Sequence, residues 1–202
     1  MKIGIIGAGT VGVSLANGLV RHGHEVMLGT RDLAKPAVRD FVAAGGGRGS
    51  AGSYSEAAAF GGVVITAFPG ALLDETLPAI GLENLDGKLI IDAVNPVIQR
   101  EGRYLPAFGE DESAAERIQR AVPTATVVKA FNTTAAARMI DPDPTDGPTT
   151  MPIAGDDAAA KAVVTELLTD AGWKVRDLGG LEKARRLEQQ VADWVQRTFA
   201  GS

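Results

Sequence analysis

Short apolar runs closed by glycine or proline alternate along this chain with longer stretches whose apolar residues recur every three or four positions. The first run, Ile3, Ile5 and Ile6 with Gly4 among them, has the length and composition of a buried parallel strand. A stripe of Val11, Leu15, Leu19 and Val20 follows at once and predicts a helix. Further strands are predicted at Glu25–Leu28, Val63–Phe68, Gly87–Asp92, Thr126–Phe131, Thr150–Gly155 and Trp173–Leu178. Helices are predicted at Leu33–Ala44, Ser55–Phe60, Leu72–Ile80, Glu110–Val122 (capped by Ser113 or Asp111), Asp156–Ala171 and Leu181–Phe199. Gly45–Ser53 reads as a surface loop with a short edge strand, and Gln99–Gly109 as irregular. Asp141–Pro148, with three prolines, is excluded from helix and central strand.

This alternation predicts an α/β chain with a Rossmann-type, doubly wound, mainly parallel sheet. It is expected as a single domain, with a core over about residues 1–140 and a C-terminal strand and helix extension over about 149–202. Leu187, Val191, Trp194 and Val195 share one face of the last helix. That face suits packing on the sheet or, alternatively, pairing with a second copy in a homodimer.

Gly7-Ala8-Gly9-Thr10-Val11-Gly12 joins the first strand to the first helix and fits G-x-G-x-x-G in register. Gly7 permits the tight turn, Gly9 lets a pyrophosphate approach the backbone, and Gly12 lets the helix pack close to the sheet. The helix N-terminus offers free N–H groups to the phosphates. Where a cofactor lacking a 2′-phosphate usually meets a carboxylate, this chain has Gly29-Thr30-Arg31. Thr30 brings a hydroxyl, Arg31 a planar donor fork, and Lys35 reaches the same region, so NADP(H) is expected. Asp32 reads as the cap of the next helix, with Pro36 in its first turn. Phe68-Pro69-Gly70, Asn95-Pro96 and Asn132-Thr133-Thr134 each close a strand at its carboxyl end, where ligands bind in open parallel sheets.

Composition narrows the function. There is no cysteine, which excludes disulfides and thiolate chemistry. No apolar run approaches the roughly 20 residues of a membrane span, and no signal peptide is recognised, so a cytoplasmic protein is expected. A net charge of −5 gives no general attraction to nucleic acid or membrane. Both histidines, His22 and His24, sit in one turn, and Tyr54 and Tyr104 are followed four residues later by Ala58 and Phe108 rather than lysine. Lys129 lies inside a strand and suits a sheet face or a helix cap more than proton transfer. No cluster has metal-ligand spacing. The lack of an acid or base favours hydride transfer between two cofactors, which depends on alignment and exclusion of water.

In order along nearly the whole chain come Gly7–Gly12, Gly29-Thr30-Arg31-Asp32, Asp92-Ala93-Val94-Asn95-Pro96, Val128-Lys129-Ala130-Phe131-Asn132-Thr133 and Gly179-Gly180-Leu181-Glu182-Lys183-Ala184-Arg185. This set resembles the NADP oxidoreductases of the coenzyme F420-dependent type; the last two segments are the specific ones. The resemblance implies an NADPH-dependent oxidoreductase that passes the pro-S hydride between NADP(H) and the deazaflavin F420, or a similar flavin-like acceptor. Family contacts to the 2′-phosphate fall on Thr30, Arg31 and Lys35, and those to the pyrophosphate on Ala8, Gly9, Thr10 and Val11. The two rings would lie near Phe68, Pro69, Gly70, Asn95, Asn132 and Thr133. Two other readings stay open: a non-catalytic NADP(H)-binding redox sensor, and an NADPH-dependent reductase of another small acceptor.

Overall fold

Alternate residues of each apolar run feed two separate cores, one on either side of a sheet. The computed structural model describes residues 1–109 and 111–199. Its strands are β1 (Lys2–Ile6), β2 (Glu25–Gly29), β3 (Gly49–Gly52), β4 (Val63–Thr66), β5 (Leu89–Asp92), β6 (Val97–Arg100), β7 (Arg103–Pro106), β8 (Thr126–Lys129), β9 (Thr150–Gly155) and β10 (Lys174–Asp177). The helices are α1 (Thr10–Arg21), α2 (Pro36–Ala44), α3 (Tyr54–Phe60), α4 (Leu73–Ile80), α5 (Ala114–Ala121), α6 (Ala158–Asp170) and α7 (Ala184–Phe199). Ile5, Ile65, Ile91 and Val128 pack with Leu15 and Leu19 of α1, Phe41 of α2 and Leu168 of α6. Their neighbours Ile6, Val64, Ile90 and Val127 pack with Ala58 of α3, Leu77 of α4 and Ile118 of α5. Burial on both faces is why these strands are apolar throughout rather than alternating.

The main sheet runs β10-β9-β8-β5-β4-β1-β2-β3. From β3 to β8 every pair is parallel. β9 then runs antiparallel to β8 over a short contact, and β10 is parallel to β9. The chain leaves β1 towards β2 and β3, then returns to the other side of β1 for β4 and β5. That reversal opens a crevice at the carboxyl ends of β1 and β4.

Several sequence-based boundaries are corrected. Gln99–Gly109, expected to be irregular, contributes to an antiparallel hairpin of β6 and β7. Its two-residue turn, Glu101-Gly102, has positive φ at both positions, as hairpin turns that match strand twist require. α2 begins at Pro36 rather than Leu33, with Lys35 preceding it and no side-chain cap. Asp32 instead accepts the Ala34 N–H at 2.9 Å and shapes the preceding turn. The predicted start of α5 at Glu110 lies outside the described residues, and the helix itself begins at Ala114 after a Ser113 cap. The Asn95–Pro96 peptide bond is trans. No helix among the described residues is long and apolar enough to cross a membrane.

The predicted apolar face of α7 divides. Leu187 and Val191 are 2% and 9% exposed and pack within the chain, whereas Trp194 is 51% exposed.

α5 tests the local reading. Ser113 Oγ accepts the Glu116 N–H and Glu116 reaches back to the Ser113 N–H, a reciprocal capping box. Ser113→Ala should therefore lower stability by about 1 kcal/mol in urea unfolding, and an unchanged midpoint would contradict the assignment.

Candidate functional site

The turn between β1 and α1 is shaped by backbone proximity. Gly7 has a φ of +117° and donates its N–H to Gly29 O at 3.0 Å, tying the turn to the end of β2. A Cβ on Gly12 would lie 1.8 Å from Gly7 O, so only glycine lets α1 start this close to the strand. Gly9 differs: a Cβ there would meet no protein atom within 4 Å. α1 has no side-chain cap and no acidic residue in its first turn. An uncapped helix start with open space beside Gly9 suits an anion, and Ala8, Thr10 and Val11 surround it.

At the end of β2, Thr30 is buried and its Oγ1 accepts the Asp32 N–H at 3.0 Å. Lys35 Nζ donates to Ala8 O at 2.6 Å, so this ammonium already braces the glycine turn. Arg31 is exposed and makes no hydrogen bond or ion pair among the described residues. Of the three residues predicted for a 2′-phosphate, Arg31 is thus the unengaged cation.

Beyond β4 and β5 lies a cleft of about 260 Å³, with Gly9, Thr10 and Val11 on one wall and Phe68, Pro69 and Asn95 on the other. Phe68 is both core and wall, being packed with Leu73 and Leu77 beneath. Gly70 does not line the cleft. A Cβ there would come within 2.4 Å of Pro96 Cα, so Gly70 lets the two strand-end loops touch.

Asn95 also lines a second chamber of about 520 Å³, with Asn132, Thr133 and Thr134 at its floor and Gln190, Val191 and Trp194 of α7 as a wall. Asn95 Nδ2 donates to Asn132 O at 3.1 Å, and Asn132 Nδ2 donates to Asn95 Oδ1 at 3.3 Å. Asn132 Oδ1 is buried with no hydrogen-bond partner among the described residues. Phe131, just before it, holds a φ of +62°, a strained conformation for an aromatic residue and of the sort found at binding sites. Arg138, from a short 3-10 turn, donates to the carbonyls of Asp143, Gly147 and Pro148 and so fixes the proline loop at the chamber's mouth. A larger cavity of about 750 Å³ lies between the β9–β10 edge and α7, but it shares only Gln190 with the chamber and none of the strand-end polar residues.

Sequence reasoning missed the α7 wall and a buried ion cluster below the two asparagines. Lys129 Nζ lies 2.8 Å from Asp92 Oδ2 and 2.7 Å from Glu188 Oε1, with all three side chains out of contact with solvent or nearly so. Burial pushes the Glu188 carboxyl up; the Lys129 charge opposes this, Asp92 adds to it, and the net direction is up. Burial would lower Lys129, but the two carboxylates outweigh it and hold its ammonium above the usual range. A lysine ending an apolar strand was the available signal, since such a charge is buried only when paired.

A family model described as NADP oxidoreductase, coenzyme F420-dependent, matches residues 2–96. The F420-dependent NADP reductase of Methanothermobacter marburgensis is 32% identical over 94% of this chain and 88% of its own length. The chain belongs to this family. A crystal structure from Arthrobacter sp. FB24, assigned as an F420-dependent NADP reductase, superposes on this family member with a TM-score of 0.91 at 36% identity, covering 100% of this chain and 94% of that one. Rat metalloreductase STEAP3 is 31% identical over 93% of this chain, which spans only 36% of that longer protein.

The raised Glu188 carboxyl has a measurable consequence. The unfolded chain releases this proton near the ordinary value of 4.5, while the folded protein keeps it to higher pH, so its contribution to stability falls as pH rises above 4.5. The stability of the parent protein minus that of Glu188→Gln should therefore decline over that window in denaturant titrations. A difference that grows with pH would contradict it.

Proposed function

We propose that this protein transfers a hydride between NADP(H) and a deazaflavin of the F420 type, holding the two on either side of Asn95. The observation that carries the reading is the pair of chambers sharing that residue, one opening from the G-x-G-x-x-G turn and the other from the β8 end. The family relatives named for the same pair of substrates support it. The residues fit such a nucleotide: the space beside Gly9 and the uncapped start of α1 suit a pyrophosphate, with Ala8, Thr10 and Val11 around it. Arg31 would take the 2′-phosphate, beside Thr30 and Lys35, whose side chains shape that turn. Gly7, Gly12 and Gly70 serve as spacers that let backbone segments approach.

NADPH supplies the hydride, and reduction of the deazaflavin consumes one proton as well, so NADPH, F420 and H⁺ give NADP⁺ and reduced F420. Phe68, Pro69 and Asn95 would hold the nicotinamide side. Asn132 and Thr133 would form the acceptor floor, with Asn132 Oδ1 available to an N–H of a bound ring system. Val191 and Trp194 would cover the ring from α7. The described lining of the two chambers carries no histidine or lysine, and its one carboxylate is Asp146 of the proline loop. In this reading the protein works by alignment and exclusion of water, with the proton coming from solvent. A nucleotide sensor needs only the first chamber; the second favours catalysis.

Arg31→Ala should weaken NADPH binding about tenfold or more while leaving NADH within about twofold, because only NADPH loses a charge-assisted contact. Equal losses for the two nucleotides, measured by titration, would contradict the assignment.

A further inference from the structure

The carboxyl ends of β5 and β8 carry two rungs, one above the other. Sheet register pairs Asp92 with Lys129. Three residues past the end of each strand, Asn95 pairs with Asn132 through two amide hydrogen bonds. The upper rung lies in the floor of the second chamber, with Asn95 reaching the first as well, and the lower rung is ionic and sealed from solvent. The ammonium of Lys129 donates to Asp92 Oδ2, Glu188 Oε1 and Val94 O, which uses all three of its N–H groups. Asp92 Oδ1 accepts from Thr66 Oγ1 at 2.6 Å and from Val94 N at 3.1 Å. Glu188 also receives the Ala114 N–H at the start of α5.

We infer that Lys129, Asp92 and Glu188 are positioning residues for the acceptor chamber: their buried cluster sets the placement of its floor, Asn95 and Asn132, against its wall on α7. The inference rests on reading that chamber as the acceptor site. Glu188 lies one turn or less from Gln190 and Val191 on the same helix, and Lys129 grips the loop between Asp92 and Asn95 directly. Past Val191 the helix packs along β7, where Gln196 accepts the Tyr104 N–H. Apolar residues of similar volume would serve stability as well as a buried ion cluster does. What the ammonium adds is direction, because it holds three acceptors from two strand ends and one helix at fixed angles.

Two variants test this, Lys129→Met and the milder Glu188→Gln, with hydrogen exchange by mass spectrometry and steady-state kinetics. Exchange should quicken in the 187–198 peptide and not in the β1–α1 peptide. The KM for F420 should rise about tenfold, as misplacement by an ångström can produce, while the NADPH Kd stays within about twofold. The triple variant Asp92→Asn/Lys129→Met/Glu188→Met, which leaves no charge in the buried cluster, should recover thermal stability without recovering the KM. Unchanged α7 exchange, a KM and Kd that rise together, or a KM restored with stability would each overturn the inference. If the parent protein does not reduce F420, the proposed activity fails and the exchange comparison alone decides the positioning role. If Lys129→Met does not fold, Glu188→Gln carries the test.

Discussion

Because neighbouring parallel strands run the same way, their carboxyl ends must lie along one edge of the sheet, and reversal of strand order between β1 and β4 opens a crevice there. The candidate site depends on that constraint. Residues separated by more than 120 positions, from the glycine turn at Gly7 to Asn132, meet because each follows the end of a strand in this parallel array. β9 breaks the rule by running antiparallel to β8, and the chain then returns through α6 and β10 to bring α7 back over the same edge. The additional segment thereby supplies a wall that the six parallel strands β1–β5 and β8 do not.

The site concentrates energetically costly features. Removing one partner from a buried ion pair typically costs about 3–5 kcal/mol, and a non-glycine residue held at positive φ costs on the order of 1–3 kcal/mol. Both are large beside a net stability of about 5–15 kcal/mol for a domain. Here the Lys129 cluster, the Phe131 backbone and the unpaired Asn132 Oδ1 fall within a few residues of one another at the end of β8. Elsewhere in the described chain the two cores are apolar packing, with Phe41 and Trp173 among the aliphatic side chains. Strain and buried charge gathered at one strand end suit a structure that holds a ligand, since packing alone would not call for either.

Much of this was legible in sequence because the signals are local. The glycine turn, the buried strands, the Ser113 cap and the polar strand ends each declare themselves within a few residues. The doubly wound, mainly parallel sheet followed from the alternation of strands and helices. What stayed hidden depends on distant partners. Lys129 looks like a misplaced charge until Asp92 and Glu188 are brought to it across 37 and 59 positions. The face of α7 showed its apolar stripe but not that Leu187 and Val191 would be covered while Trp194 walls a chamber. Asp32 competed for two local roles, and Pro36 starting the helix decided between them. The β6–β7 hairpin lacks strand-like alternation, and its Glu101-Gly102 turn was the one clue present.

The most direct measurement is to mix the purified protein with NADPH and oxidised F420 and follow loss of the deazaflavin absorbance, with NADH and FMN in parallel. The account predicts rapid loss that requires NADPH and is much slower with NADH or FMN. Tight NADPH binding with no loss of deazaflavin absorbance would contradict it, leaving a nucleotide-binding fold whose second chamber serves some other ligand.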